Sequence, residues 1–287
     1  MGLNIVCTSK PCDGLFYYSY EYCDKLAELG VDVRLIVITR GKFTPQDYID
    51  SIKEKYIDRS TIDRVYFNDF VPEVDDISMI MGRSMITIPY REIHRYDEDQ
   101  VFTLRSLFEN KLIAVYSENH QNDYEPALEY FDTLETYDLC DHDVYRNGVG
   151  DHFEKTINFS IYAEPVQNVQ YEHCFLGTSR EYYATVDQLV SSYNNSCIIT
   201  YNDDFVNPKN ENIFAPVKNL LGLFNTYVYT KEAFDPAPRL IQECKYFGKN
   251  VIYQRDKNIV DGGSVYYKRD IIEPDVGPIL KAIKELS

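Results

Sequence analysis

The first forty residues alternate between continuous apolar runs and a run with helical spacing. Asn4–Ser9 and Val31–Thr39 are short and apolar, which is typical of buried strands. Between them, Leu15–Leu29 places apolar or aromatic residues three and four positions apart, so it predicts an amphipathic helix with Gly30 as its C-cap. Strand, glycine loop, helix and strand in this order predict a βαβ unit and therefore a parallel sheet.

The same alternation continues to the end of the chain. Further runs predict strands, namely Ile62–Phe67, Ile77–Met81, Lys111–Ser117, Thr136–Leu139, Glu172–Leu176, Cys197–Tyr201, Thr226–Thr230 and Asn250–Gln254. Helical spacing recurs at Pro45–Tyr56, Ala215–Phe224, Pro238–Phe247 and Val276–Leu286. Because the polar segment Glu164–Gln170 separates two successive α/β plans, we expect two domains, residues 1–168 and 169–287. The predicted class is α/β, with two Rossmann-like domains facing a cleft that holds the ligand at the carboxyl ends of the strands.

Size, apolar runs and cysteine content are consistent with a two-domain α/β protein. The chain has 287 residues and a mass of 33.6 kDa, and no apolar run approaches the ~18 residues that a membrane-spanning helix needs. Its seven cysteines are widely spread and form no CxxC pair. This usage indicates reduced thiols rather than a disulfide framework or a zinc site, so we expect a cytoplasmic protein.

Charge narrows the range of partners. The chain carries 29 basic and 46 acidic residues, a net charge of −17. Residues 92–154 alone hold 16 acidic residues against four basic ones. Because binding to a nucleic-acid backbone needs clustered lysine and arginine, we expect no nucleic-acid partner.

The most informative stretch is Ala233–Ile252. Asp235 lies in a proline-rich turn, Glu243 lies eight residues later on a predicted helix, and Gly248 ends that helix before the Val251–Ile252 strand. This arrangement resembles the acid-x7-acid motif of retaining GT-B glycosyltransferases. It departs from the commonest form of that motif by having Asp at the first acid and by lacking a run of glycines before the helix.

The resemblance implies a binding mode for a nucleotide-sugar donor. Glu243 would accept hydrogen bonds from the ribose diol, and Asp235 would lie near the transferred sugar. Arg239, in the first turn of the motif helix, and Arg180, in the loop that begins at Gly177, would meet the diphosphate together with the helix N-terminus. An ordinary surface helix with unrelated charges is the alternative interpretation.

The first half offers residues for the opposite side of the donor. The segment Tyr116–His120 (YSENH) ends a predicted strand and is similar to a tyrosine-rich strand followed by histidine in phage DNA glucosyltransferases, where the histidine faces the sugar. His120 is therefore a candidate catalytic residue, and Gly14 matches the glycine loop beneath the same cleft. Either residue alone is as well explained by a structural role, and His142 is a second candidate histidine.

Metal and cofactor chemistry have weaker signals. The sequence Asp141-His142-Asp143 matches DxD, the divalent-metal motif of GT-A glycosyltransferases. A match to this short motif arises easily by chance in a chain with 46 acidic residues. We therefore expect no catalytic metal and no cofactor besides the donor. The chain has no GxSxG, P-loop or GxGxxG sequence, which argues against hydrolase, NTPase and dehydrogenase functions.

The resemblance thus implies a metal-independent, retaining glycosyltransferase that uses a nucleotide-sugar, with UDP-sugars among the expected donors. It also implies that the nucleotide-sugar binds mainly to the second domain, residues 169–287, and the acceptor to the first, residues 1–168. The expected acceptor is a glycan or a small molecule. Two alternatives stay open: transfer to hydroxymethylated bases of DNA, and a catalytically degenerate GT-B scaffold that binds a nucleotide or glycan.

Overall fold

The fold is taken from a computed structural model of the whole chain. It describes residues 1–81, 96–116, 134–138, 151–152, 157–177, 186, 189–200, 211–214, 220–230, 239–254 and 275–287. Two parallel sheets organise these residues, one in each half of the chain.

The first half forms a seven-stranded parallel sheet. Its strands are β1 (Leu3–Cys7), β2 (Val33–Val37), β3 (Val65–Tyr66), β4 (Ile77–Met81), β5 (Lys111–Tyr116), β6 (Leu134–Asp138) and β7 (Asp151–His152). They lie in the order β3-β2-β1-β4-β5-β6-β7, and every pair is parallel. Because β1 and β2 are buried at almost every position, both faces of the sheet must be covered, as the continuous apolar runs predicted.

Three helices of this half begin at side-chain caps. In α1 (Gly14–Glu28), Asp13 accepts a hydrogen bond from the Leu15 backbone at 2.9 Å. In α2 (Pro45–Lys55), Asp47 accepts one from the Thr44 backbone at 2.7 Å. In α3 (Glu98–Phe108), Asp97 and Gln100 form a reciprocal capping box. These caps satisfy backbone donors that a helix start leaves without partners.

The helix α1 is buried on nearly all sides, although its spacing predicted an amphipathic helix. Its fully buried residues include Phe16, Tyr18, Tyr20 and Tyr22. The reason is that α1 is enclosed by more than the sheet: one core cluster contains residues of β1, α1, α2 and the last helix of the chain. A helix packed on several sides can be apolar around most of its circumference.

The second half forms a five-stranded parallel sheet with the same relative order. Its strands are β8 (Tyr171–Gly177), β9 (Ser196–Thr200), β10 (Glu211–Phe214), β11 (Phe224–Tyr229) and β12 (Asn250–Tyr253), ordered β10-β9-β8-β11-β12. Helix α4 (Arg239–Tyr246) lies between β11 and β12 in the chain, and Gly248 ends it with a φ of 69°. Both domains are therefore α/β units with parallel sheets, as expected, and Gly248 has the C-cap role expected of it.

The last helix, α5 (Gly277–Leu286), returns to the first domain. Ile279, Ala282 and Leu286 join the core around α1, and Lys111 donates a hydrogen bond to the Leu286 carbonyl. The boundary between residues 168 and 169 stays a prediction: the two sheets lie on either side of it, but α5 packs across it. None of the described helices is both long enough and apolar enough to cross a membrane.

Two predicted elements are wrong where the structure describes them. The expected helix Ala215–Phe224 ends in a short 3-10 turn, Leu220–Gly222, and β11 begins at Phe224. The expected strand Ile62–Phe67 begins with a 3-10 turn, Ile62–Arg64, and only Val65–Tyr66 pairs as a strand. Apolar residues in short runs are compatible with either structure, so the pattern alone did not decide between them.

Candidate functional site

The first turns of α1 and α4 meet where the two domains touch. Gly14 begins α1 after the carboxyl end of β1, and Arg239 begins α4 in the segment between β11 and β12. A Cβ atom built on Gly14 would lie 3.6 Å from Cδ and 3.7 Å from Cβ of Arg239. The structure thus brings together two of the residues for which the sequence predicted donor contacts, one from each domain.

The Arg239 side chain extends from this point along α1 and is only 6% exposed. Its Nη1 donates to Oε2 of Glu21 at 3.3 Å, and its Nη2 donates to Oε1 of Glu21 and to the hydroxyl of Tyr162. The guanidinium carbon lies 4.5 Å from the centre of the Tyr18 ring. Arg239 is therefore anchored in the first domain by an ion pair and by aromatic stacking.

Glu243, one turn further along α4, is 3% exposed. Its Oε1 accepts from Nε of Arg239 at 2.8 Å, from the Tyr162 hydroxyl at 2.9 Å and from Nζ of Lys55 at 2.8 Å. The Lys55 ammonium also lies 3.9 Å from the centre of the Tyr17 ring. A ribose hydroxyl that used this carboxylate would therefore have to approach its other oxygen, Oε2.

These contacts form one interdomain charge cluster, which we define as Glu21, Lys55, Arg239 and Glu243 with the hydroxyls of Tyr56 and Tyr162. Tyr56 completes it by donating to Oε1 of Glu21 at 2.8 Å. The cluster contains two positive and two negative groups, so its formal charge is balanced. Balance and dense hydrogen bonding are what allow ionised groups to stay buried.

The cluster also shifts the pKa values of its members. Burial alone would raise the pKa of the Glu243 carboxyl, but Lys55 and Arg239 outweigh burial and hold that pKa below its ordinary value. For Arg239, burial would lower the pKa, but the carboxylate of Glu21 and the other acidic partners raise it well above normal. Burial is also the main cause that raises the pKa values of Tyr56 and Tyr162. The Glu243 carboxylate and the Arg239 guanidinium therefore stay charged near neutral pH.

The predicted site residues fall into two groups. Gly14, Arg239 and Glu243 lie together at the domain junction, and Gly177 ends β8 opposite Thr200 of β9. The other predicted site residues, Asp235, His120 and Arg180, lie outside the described residues, as do His142 and the Asp141–Asp143 motif. The specific roles of all these residues stay predictions, and the bonds of Arg239 and Glu243 to the first domain were not foreseen.

Sequence reasoning missed Glu21, Lys55 and Tyr162. Glu21 had a usable signal, because it is the one charged residue within the aromatic run from Phe16 to Cys23. A charge inside such a buried run requires a partner. Lys55 and Tyr162 carry no comparable signal. Within the described part of the chain, no group of three or more His, Cys, Asp or Glu residues could hold a metal ion.

Comparisons with known proteins identify the architecture. No family model matches the chain, and no curated protein matches it in sequence. A solved alpha-glucosyltransferase in complex with UDP and a 13-mer DNA containing an HMU base superposes with a TM-score of 0.53 at 8% identity, covering 99% of this chain and 89% of that one. The same kind of enzyme in complex with UDP gives a TM-score of 0.53 at 9% identity, with coverages of 99% and 90%.

A glycosyltransferase from Rickettsia africae ESF-5 superposes less well, with a TM-score of 0.48 at 9% identity and coverages of 99% and 87%. At such identities, the similarity to the two alpha-glucosyltransferase structures concerns the fold. The two parallel-sheet α/β domains are consistent with a GT-B-like fold. The Asp235–Glu243 motif and a ligand cleft between the domains stay predictions.

Proposed function

We propose that this protein is a glycosyltransferase that moves a sugar from a nucleotide-sugar, most simply a UDP-sugar, to an acceptor. One observation carries the proposal: two parallel-sheet domains superpose over 99% of the chain on an alpha-glucosyltransferase in complex with UDP. The helix that carries Glu243 lies at the junction of these domains, which supports a donor site between them.

On the donor side, Glu243 accepts hydrogen bonds from the ribose through Oε2. This assignment is supported by its charge, since Lys55 and Arg239 keep the carboxylate ionised despite burial. Arg180 and the N-terminus of α4 face the diphosphate, with the backbone at Gly14 and Gly177 lying close beneath the donor. Arg239, whose guanidinium is paired with Glu21, supports this site by holding α4 against the first domain.

On the sugar side, the chemistry is retaining glycosyl transfer, with cleavage of the bond between the sugar and the diphosphate. Positive charge develops on the sugar as that bond loosens, so the carboxylate of Asp235 stabilises it from nearby. His120 contacts the sugar from the first domain and holds it for attack by the acceptor. The diphosphate leaving group is neutralised by Arg180 and the helix dipole, so the reaction needs no metal or other cofactor.

The proposed acceptor is a glycan or small molecule. The net charge of −17 and the acidic residues 92–154, which include the acidic first turn of α3, support an acceptor other than nucleic acid. A base of DNA that bears a hydroxymethyl group is the second candidate, and it is favoured by the DNA that the structurally similar alpha-glucosyltransferase binds.

Calorimetry and a turnover assay with UDP-sugars test the proposal. We expect UDP to bind the wild-type protein, and the Glu243→Ala variant to lose about 1.5–3 kcal/mol of binding free energy, the range for a hydrogen bond to a charged group. Lys245→Ala, on the exposed side of α4, is the matched control. Binding without any sugar release or transfer would favour the degenerate scaffold, and absence of binding would overturn the proposal.

A titration with plain and hydroxymethylated duplexes at ~0.05 and ~0.2 M salt tests the acceptor. We expect no salt-sensitive binding and no transfer, because phosphate neutralisation by several basic residues is what gives duplex binding its steep salt dependence. Micromolar affinity that falls steeply with salt, or transfer onto the modified duplex, would make DNA the acceptor. Survival of sugar transfer in EDTA tests metal independence in the same assay.

The proposed compartment is the cytoplasm. Within the described residues, all six cysteines are free thiols, and burial raises the pKa of Cys7 to about 11 and that of Cys23 to about 12. Thiols with such values stay protonated and unreactive. This supports a protein that acts under reducing conditions without using cysteine chemistry.

A further inference from the structure

The orientation of Glu243 is determined largely from outside its own domain. Of the three donors to its Oε1, Lys55 and Tyr162 belong to the first half of the chain, and only Arg239 lies on the same helix. A carboxylate held at one oxygen by three donors has little freedom to rotate. The position of Oε2 is therefore determined largely by the first-domain residues that hold Oε1.

Arg239 is oriented from the first domain as well. Glu21 accepts two of its hydrogen bonds, and Glu21 is itself completely buried on α1. Tyr56, which directly follows α2, donates to the same carboxylate at 2.8 Å, so α1 and the end of α2 together fix the guanidinium. Helix α4 is thus attached to the first domain by buried charges at both Arg239 and Glu243.

Lys55 differs from an ordinary surface lysine of α2. Its side chain is 16% exposed, its ammonium lies 2.8 Å from Oε1 of Glu243, and the ammonium lies over the Tyr17 ring at 3.9 Å. By contrast, Lys53 is exposed on the same helix. An ammonium held between an aromatic ring and a buried carboxylate has lost most of its water, which strengthens its interaction with that carboxylate.

We propose that Lys55 is a positioning residue of the donor site: its ammonium holds the Glu243 carboxylate in the orientation that the ribose needs, and Glu21 supports the same geometry through Arg239. This inference rests on the proposed donor role of Glu243. Its consequence is that the first domain, which carries the acceptor side in the proposed function, also controls affinity for the nucleotide.

The pH dependence of nucleotide binding distinguishes positioning from simple structural support. Among the described residues, the charged and titratable groups that face the Glu243 carboxylate are Lys55 of α2, Tyr56, Glu21 of α1, Tyr162 and Arg239. Burial raises the pKa of the carboxyl and Lys55 is the largest opposing influence, so removal of the Lys55 charge moves that pKa upward. Because the protonated carboxyl is a poorer hydrogen-bond acceptor for ribose, affinity would then be lost at a higher pH than in the wild type.

The test is a calorimetric titration with UDP between pH 4.5 and 8 on four proteins: wild type, Lys55→Gln, Lys55→Arg and Lys53→Gln. Glutamine keeps a donor near Oε1 but removes the charge, whereas arginine keeps the charge. We expect Lys55→Gln to bind UDP about tenfold more weakly below pH 6, with the acid limb of the affinity profile moved to higher pH. Lys55→Arg should restore the wild-type limb, and the exposed Lys53→Gln should match the wild type throughout.

Failure of the inference is distinct from failure of the proposed function. If the wild type binds UDP and Lys55→Gln follows the same pH profile, the positioning role is wrong and the glycosyltransferase proposal stands. If the wild type does not bind UDP, the proposed function is wrong and the donor role of Lys55 is wrong with it.

A second variant guards against misfolding of Lys55→Gln. Tyr162→Phe removes one donor to Oε1 and leaves all four charges in place. It should move the acid limb in the same direction by a smaller amount. An unshifted limb in a folded Tyr162→Phe protein would also contradict the positioning role.

Discussion

Two buried clusters in this protein each pair carboxylates with basic side chains, but one lies within a single domain and the other joins the two domains. The amino-edge cluster consists of Gly2, Asn4, Arg34 and Asp76, where Asp76 is 1% exposed. Its carboxylate accepts from the Gly2 backbone at 2.6 Å, from Nδ2 of Asn4 at 3.2 Å and from Nη1 of Arg34 at 2.7 Å. All four residues lie in the first domain, at the edge of the sheet where β1 and β4 begin.

The interdomain charge cluster lies elsewhere and draws on both domains. Its carboxylates, Glu21 and Glu243, take nearly all their described hydrogen bonds from side chains, with one long contact from the Asn158 backbone at 3.4 Å. A carboxylate held by backbone donors is fixed as soon as its own sheet folds. One held by side chains of two domains is fixed only when the domains are correctly placed, so this cluster couples domain arrangement to the candidate donor site.

The largest expected effect comes from breaking the interdomain charge cluster at Arg239. Arg239→Met leaves Glu21 and Glu243 buried with Lys55 as their remaining cation, and loss of one partner of a buried pair costs about 3–5 kcal/mol. Urea denaturation should therefore show a large loss of unfolding free energy. Lys245→Met, on the exposed side of α4, should stay within about 0.5 kcal/mol of the wild type. A loss for Arg239→Met below about 1 kcal/mol would mean that the cluster is hydrated in solution.

A smaller effect is expected at the amino-edge cluster. Asp76→Asn keeps the shape of the side chain but removes the charge that four donors stabilise, the Glu73 backbone being the fourth, so unfolding free energy should fall by about 1.5–3 kcal/mol. Asp75→Asn, at the exposed neighbouring position, is the control. Unlike Arg239→Met, this change should leave UDP affinity unaltered, because the cluster lies at the opposite edge of the sheet from Gly14.

The effect of Asp76→Asn should also depend on pH. Burial would raise the pKa of Asp76, but the hydrogen bonds from Gly2 and Asn4, with Arg34, hold it below the ordinary value. The ionised carboxyl thus contributes stability fully above the unfolded-state pKa of about 3.9, and that stability is lost as pH falls through the folded-state pKa. Denaturation curves of the variant and the wild type should converge in strong acid. A constant difference across pH would show that shape, not charge, is responsible.

The sequence was most informative where local pattern determines structure. Ile77–Met81 forms a strand with the predicted bounds, and β1 and β2 lie within the predicted runs or one residue outside them. Helix α3 was missed because its segment was interpreted only through its charge, although Asp97 and Gln100 have the spacing of a capping box. Here a local signal existed and was overlooked.

The candidate site was predictable only in part, for a different reason. The segment from Asp235 to Gly248 predicted a helix in the second domain that carries Glu243 as a ligand-binding carboxylate. Helix α4 is present and carries Glu243 as expected. The partners of that carboxylate come from residues 55 and 162, far away in the chain. Hydrogen bonds between distant segments leave no periodic pattern in one sequence, so Lys55 and Tyr162 could not be found before the fold was known.

The smallest expected change in stability is at Gly14, where the two first turns meet. Its added Cβ would lie in ordinary van der Waals contact with Arg239, at 3.6 Å from Cδ, and Ala restricts the unfolded chain more than Gly does. Gly14→Ala should therefore be neutral or stabilising by up to about 1 kcal/mol in urea denaturation. If the backbone at Gly14 lies close beneath the donor, the same methyl group should weaken UDP binding several-fold, because it occupies space that the diphosphate needs. If neither UDP affinity nor stability changes, Gly14 only begins α1 and makes no contact with the donor. The donor site would then consist of second-domain residues and of the charged side chains that orient α4.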